Sequence, residues 1–127
     1  MADGTSTVTI HADDVELPGD LTLPAGATAL VVFAHGSGSS RKSPRNRFVA
    51  ETLQQGGLGT LLFDLLTPSE HERDQADRAL RFDIPLLARR LTATVDWLAG
   101  EARTAELTLG LFGASTGAAA ALIAAAQ

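Results

Sequence analysis

The chain opens on an alternating pattern: "STVTIHA" (residues 6–12) interleaves β-branched with polar side chains, the period of a strand with one buried face. "VELPGDLTLPAG" then gives two short extended runs broken by Pro18-Gly19, so residues 6–12 and 15–24 read as a hairpin or meander at a sheet edge. The pattern changes at residue 29. "TALVVFAHG" is apolar up to its final His-Gly, as expected of a strand over 29–35 that is buried on both faces in a parallel sheet. A polar loop, "SGSSRKSPRN", leads into "RFVAETLQQGG", where Phe48, Val49, Thr52 and Leu53 share one helical face ahead of a Gly-Gly stop, predicting a helix over 45–56.

The same succession follows twice more. "LGTLLFDLL" predicts a buried strand over 58–65, "TPSEHERDQADRALR" a charged connection, and "FDIPLLARRLTATVDWLAGEA" a helix over 83–100. Asp83 is placed to cap that helix, Pro85 falls in its first turn, and Leu87, Leu91, Val95 and Leu98 space its apolar face. "ELTLGLFG" predicts a third buried strand over 106–112, and a glycine-rich turn at Ser115 leads into an alanine-rich helix over 116–126. Strand–helix succession after an N-terminal meander predicts an α/β sheet that becomes parallel. No internal repeat and no linker divides it, so residues 1–127 read as one domain.

Composition removes several classes of function. The chain has 127 residues, 45% hydrophobic and 20% charged, with a formal net charge of −5, which gives no reason to expect nucleic acid as a partner. With no cysteine there is neither a disulfide framework, nor a thiolate metal site, nor a cysteine nucleophile; no metal and no cofactor are expected. The N-terminus lacks a basic flank followed by an apolar core, and no apolar run reaches the length of a membrane span, so the expectation is a cytoplasmic protein with no membrane partner.

Three features carry chemistry. Gly113-Ala114-Ser115-Thr116-Gly117 matches GxSxG between a predicted strand and a predicted helix. A tight strand-to-helix turn brings the residues flanking the serine against neighbouring backbone, which calls for glycine, and lifts Ser115 Oγ clear as a nucleophile. The helix beginning at Thr116 aims N–H groups and a positive dipole end at the same place, favouring a developing oxyanion. The alternative is a glycine-rich turn in which Ser115 only caps the helix. At the end of the first buried strand, His35, Gly36, Ser37 and Gly38 form a loop of small residues; the Ser37 N–H, or that of Gly38, would be a second oxyanion donor beside the Thr116 N–H. His35 reads as ordering that loop, with a base role as the alternative. The third feature, "GSGSSRKS", lines up with the phosphate-loop pattern GxxxxGK[ST] from Gly36 to Ser43. Arg41 stands at the second glycine, and Pro44 biases Ser43 away from helical geometry where the helix should start. Arg41 and Arg45, within a cluster that includes Lys42 and Arg47, are candidate anion contacts; the alternative is a solvated loop.

"VVFAHGSGSSRKSPRN", "LLFDLLT" and "LGLFGASTGAAAAL" together resemble the N-terminal half of an α/β-hydrolase of the dienelactone hydrolase-like group, from about residue 29 onwards. The resemblance implies a mostly parallel sheet ordered 1-2-4-3-5 with helices on both faces and the first run antiparallel to the rest. "ALVVFAHG", "LGTLLFDLL" and "ELTLGLFG" would be strands 3, 4 and 5. It also implies a serine hydrolase acting on an ester, lactone or related small acyl substrate, with Gly113 and Gly117 shaping the nucleophile turn. In that family the acid and histidine follow in later strands, so they are expected in a missing or separate C-terminal part, and this chain alone is expected to be inactive. Asp64 would order a loop rather than join the triad. Strand 5, "LTLGLF", would be left with an unpaired apolar edge, so a complementary chain or self-association through that edge is expected. The two other functions that the residues leave open are a non-catalytic half-fold that assembles through strand 5 and a phosphate- or nucleotide-binding loop protein.

Overall fold

Side-chain alternation and hydrophobic runs resolve into seven named elements in the computed structural model, which describes residues 5–12, 15–34, 43–67, 69–70, 72 and 83–113. They are β1 (Thr5–Ala12), β2 (Val15–Thr22), β3 (Ala29–Ala34), α1 (Pro44–Gln55), β4 (Gly59–Phe63), α2 (Ile84–Gly100) and β5 (Thr108–Gly113). The helix expected over 116–126 lies outside the described residues. The strands form one sheet in the order β1-β2-β4-β3-β5, as the resemblance implies.

Strand direction departs from expectation in one respect. β1 pairs antiparallel with β2, and β2 antiparallel with β4, whereas β3 runs parallel to both β4 and β5. The strand opposed to all the others is therefore β2, and not the first run. The cause is two successive short connections without a helix, β1 to β2 and β2 to β3, each of which reverses the chain, whereas the helical crossovers through α1 and α2 keep β3, β4 and β5 parallel.

Burial explains why the runs read as they do. β1 buries Val8, Ile10 and Ala12 and exposes alternate residues, whereas β4 is buried at every position. One sheet face carries Ile10, Leu17, Leu21, Leu30, Val32, Leu61 and Phe63 against Leu87, Leu91 and Leu98 of α2. The opposite face carries Phe33 and Leu62 against Ala50 of α1, with Val31, Val49 and Leu53 packed around them. Both faces of β3 and β4 are thus covered, which requires apolar residues at successive positions.

Pro18-Gly19 does not break β2, which runs unbroken from Val15 to Thr22. Gly19 lies opposite both Val8 of β1 and Phe63 of β4. A Cβ there would stand 3.0 Å from Phe63 Cβ and 3.2 Å from Ile10 Cδ1, so the glycine is set by close packing inside the sheet and not by a turn. Pro18 lacks a donor, but its carbonyl accepts from Asp64 N–H at 3.1 Å, just beyond the β2–β4 pairs.

Candidate active site at the carboxyl edge of the sheet

β3, β4 and β5 all point their carboxyl ends to one edge, and in open α/β sheets that edge is where ligands bind. β3 and β5 are direct neighbours whose register runs from Ala29↔Thr108 to Ala34↔Gly113. The consequence for the site is direct. Ala34 is the residue before His35, and Gly113 the residue before the Ala114-Ser115 turn, so the two expected oxyanion-hole segments leave the sheet from paired positions on adjacent strands, roughly 5 Å apart. His35, Gly36, Ser37, Gly38, Arg41, Ser115, Thr116 and Gly117 themselves lie outside the described residues; Gly113 ends β5, and Arg45 is exposed in the first turn of α1.

Beneath this edge the Phe33 and Phe112 rings pack at 4.9 Å between centroids, tilted by 37°. They stiffen the β3–β5 pair one residue short of the Ala34↔Gly113 position. α1 begins at Pro44, and Ser43 adopts φ −56°, ψ 125° without a side-chain cap, the extended geometry that a following proline favours. A phosphate loop needs that position to open the helix, so this backbone does not favour a nucleotide-binding reading. Arg47, one turn on, reaches Asp20 of β2 at 3.3 Å.

The segment leaving β4 holds a carboxylate, Glu70, that is bonded both within its own segment and to α2. Thr67 and Glu70 form a reciprocal cap: the Thr67 N–H donates to Glu70 Oε1 at 2.8 Å, and the Glu70 N–H donates to Thr67 Oγ1 at 3.2 Å. The same carboxylate receives both terminal nitrogens of Arg90 from α2, Nη2 reaching Oε2 at 2.7 Å and Nη1 reaching Oε1. Arg90 Nη1 also donates to the Leu65 carbonyl at 2.9 Å. The Arg90 side chain is 6% exposed, and its hydrogen bonds to Glu70, ahead of burial, which opposes them, hold that carboxyl down from 4.5 to about 2. Sequence reasoning treats 67–81 as a charged connection and overlooks both residues. The spacing T-x-x-E at 67–70, with proline after the threonine, is the signal that marks Glu70 as a capping residue; nothing local points to Arg90.

Comparison with known proteins adds a family to this geometry. No family model matches the chain. Two putative phosphoribosyl transferases of Mycobacterium tuberculosis, from strains CDC 1551 and H37Rv, are 56% identical to it over 120 residues, 94% of this chain but 26% of their own length. The crystal structure of a dienelactone hydrolase from Anabaena variabilis is 56% identical with a TM-score of 0.97, over 99% of this chain and 58% of that one. The Pyrococcus furiosus esterase Pf2001 is 26% identical, with a TM-score of 0.72 over 94% of this chain and 45% of the esterase. The chain thus spans about a quarter of the curated relatives' length and little more than half of the Anabaena protein. With its sheet order, its single reversed strand and its close likeness to a dienelactone hydrolase, the chain is a member of the α/β-hydrolase superfamily, of the dienelactone hydrolase-like kind, and carries the N-terminal portion of that fold.

Proposed function

We propose that the protein is a serine-dependent hydrolase of an ester, lactone or related acyl compound. Ser115 Oγ attacks the acyl carbon, the Thr116 and Ser37 backbone N–H groups hold the oxyanion, and the tetrahedral adduct collapses to an acyl-enzyme as the C–O bond breaks and the alcohol leaves with the proton taken from Ser115. Water then cleaves the acyl-enzyme to the acid. The Asp and His that orient and take the serine proton are supplied outside residues 1–127, by the remainder of a longer hydrolase or by a separate chain. The observation that carries this reading is the Ala34↔Gly113 pair, from which the two glycine-rich segments depart side by side. Support for a contribution from outside comes from the Anabaena protein, of which the chain spans 58%, and from β5, which pairs with β3 alone among the described strands. The transferase name of the M. tuberculosis proteins describes chains about four times as long. It is not carried over, because the matching segment has a hydrolase sheet.

The test is a fluorophosphonate probe with mapping of the adduct. Label on Ser115, lost in Ser115→Ala together with ester hydrolysis, is the expected result. A full-length protein that neither labels nor hydrolyses any acyl ester would refute the reading and favour a non-catalytic role for the same fold.

A further inference from the structure

We infer that Glu70 and Arg90 form a positioning pair that fixes the segment leaving β4 as a wall of the acyl site, and so govern which acyl groups the site accepts. The inference rests on the hydrolase reading and extends it to residues outside the nucleophile turn and the oxyanion loop.

Placement is the first argument. β4 lies on the far side of β3 from β5, so the residues following Phe63 leave the same carboxyl edge roughly 10 Å from the end of β5, two strand spacings away. On the hydrolase reading, a segment two strand spacings from the end of β5 is near enough to border a small acyl group held by Ser115.

The second argument is constraint. Between Asp64 and Glu70 the chain is tied at three places: Asp64 N–H to the Pro18 carbonyl, the Leu65 carbonyl to Arg90, and Thr67 and Glu70 to each other, with the Glu70 carboxylate also accepting from Arg90. Leu65 and Leu66 are buried in the same core as Leu87, Ala88 and Leu91 of α2. Among the described residues, Arg90 is therefore the one α2 side chain that addresses this segment through both its backbone and its carboxylate.

The third is energetic. Arg90 is 5% exposed as a residue and sits beside the apolar stripe formed by Leu87 and Leu91, where a methionine or leucine would pack without the loss of hydration that a guanidinium and a carboxylate suffer. A two-pronged guanidinium–carboxylate contact is strongly directional, however, whereas apolar contact lets a loop slide. What the pair contributes beyond an apolar substitute is one defined loop position.

Three variants of the full-length protein test this: Arg90→Lys, which keeps the charge and loses the fork; Glu70→Gln, which keeps the shape and loses the charge; and Glu70→Leu/Arg90→Met, which replaces the pair with apolar groups and guards against simple unfolding. Hydrogen exchange at the Thr67 amide reads the anchoring, and kcat and KM for p-nitrophenyl esters of increasing acyl length read the site. The expected result is faster exchange at Thr67 and a shift of about tenfold in relative kcat/KM between short and long acyl groups, the scale on which pockets discriminate by a methylene or more. The rate of fluorophosphonate labelling at Ser115 should change less than this profile does. An acyl-length profile that stays the same in the double variant while Thr67 exchange rises would overturn the inference, as would Thr67 exchange that does not change in any variant. A wild-type protein with no Ser115 labelling and no ester hydrolysis would remove the hydrolase reading and this inference with it, an outcome separate from the other two.

Discussion

Glu70 keeps its charge well into acid, and that has a measurable sign. Its folded pKa of about 2 lies below the ordinary 4.5, chiefly through hydrogen bonding from Arg90, so its stabilisation is complete above 4.5 and is lost as pH falls from 4.5 towards 2. The unfolding midpoint of the protein should fall across that window, and Glu70→Gln should flatten the fall; a Glu70→Gln protein with the wild-type pH profile would contradict it. Removing one partner should cost more than removing both. Arg90→Met leaves a carboxylate at the loop–helix junction uncompensated and should cost about 3–5 kcal/mol, against a much smaller loss in Glu70→Leu/Arg90→Met, as read by denaturant unfolding. At this scale the GxSxG pattern can be read because five consecutive residues carry it. Glu70–Arg90 is not, because its two ends are separated by a connection whose charges otherwise resemble a solvated surface.

Among the elements, α2 shows how a start signal works. Asp83 accepts a hydrogen bond from Leu86 N–H at 3.1 Å, Pro85 occupies the first turn where a missing N–H costs nothing, and Leu87, Leu91 and Leu98 then meet the sheet. Asp83→Ala should lower stability by about 1 kcal/mol in chemical denaturation, and Asp83→Asn by less. β2 shows the opposite case, a stop signal that is not a stop. Pro18-Gly19 reads as a turn from its own composition, yet Gly19 sits in the middle of the strand because Phe63 and Ile10 leave no room for a Cβ. Gly19→Val should therefore destabilise the protein by about 1–3 kcal/mol through overpacking, even though valine has the higher strand propensity. An increase in stability on that substitution would show that the sheet yields at Gly19.

For the molecule as a whole, strand order and direction decide which segments leave the sheet together. β3 follows the hairpin but lies beyond β4, with β4 and β5 flanking it, so the ends of β3 and β5 at Ala34 and Gly113 are paired although some eighty residues separate them. If Ser115 is the nucleophile, Ser115→Ala should leave only the residual catalysis of binding and oxyanion hole, on the order of 10³–10⁴ over the reaction in water. A Ser115→Ala protein with undiminished ester hydrolysis would place the chemistry elsewhere. No helix among the described residues is long and apolar enough to cross a membrane.

Among the described residues the sequence by itself determined the five strands and the two long helices, since side-chain alternation, uninterrupted apolar runs, Asp83-Ile84-Pro85 and the glycines after α1 act on neighbouring residues. It also carried the family, through three segments in a fixed order. Only the tertiary structure decided that β2 is the reversed strand, that Gly19 is a packing residue and that Arg90 reaches back to Leu65 and Glu70. Each of these depends on which distant residue lies opposite. Local periodicity specifies which face of an element is buried, but the partner across that face is chosen by how the whole sheet closes over its core.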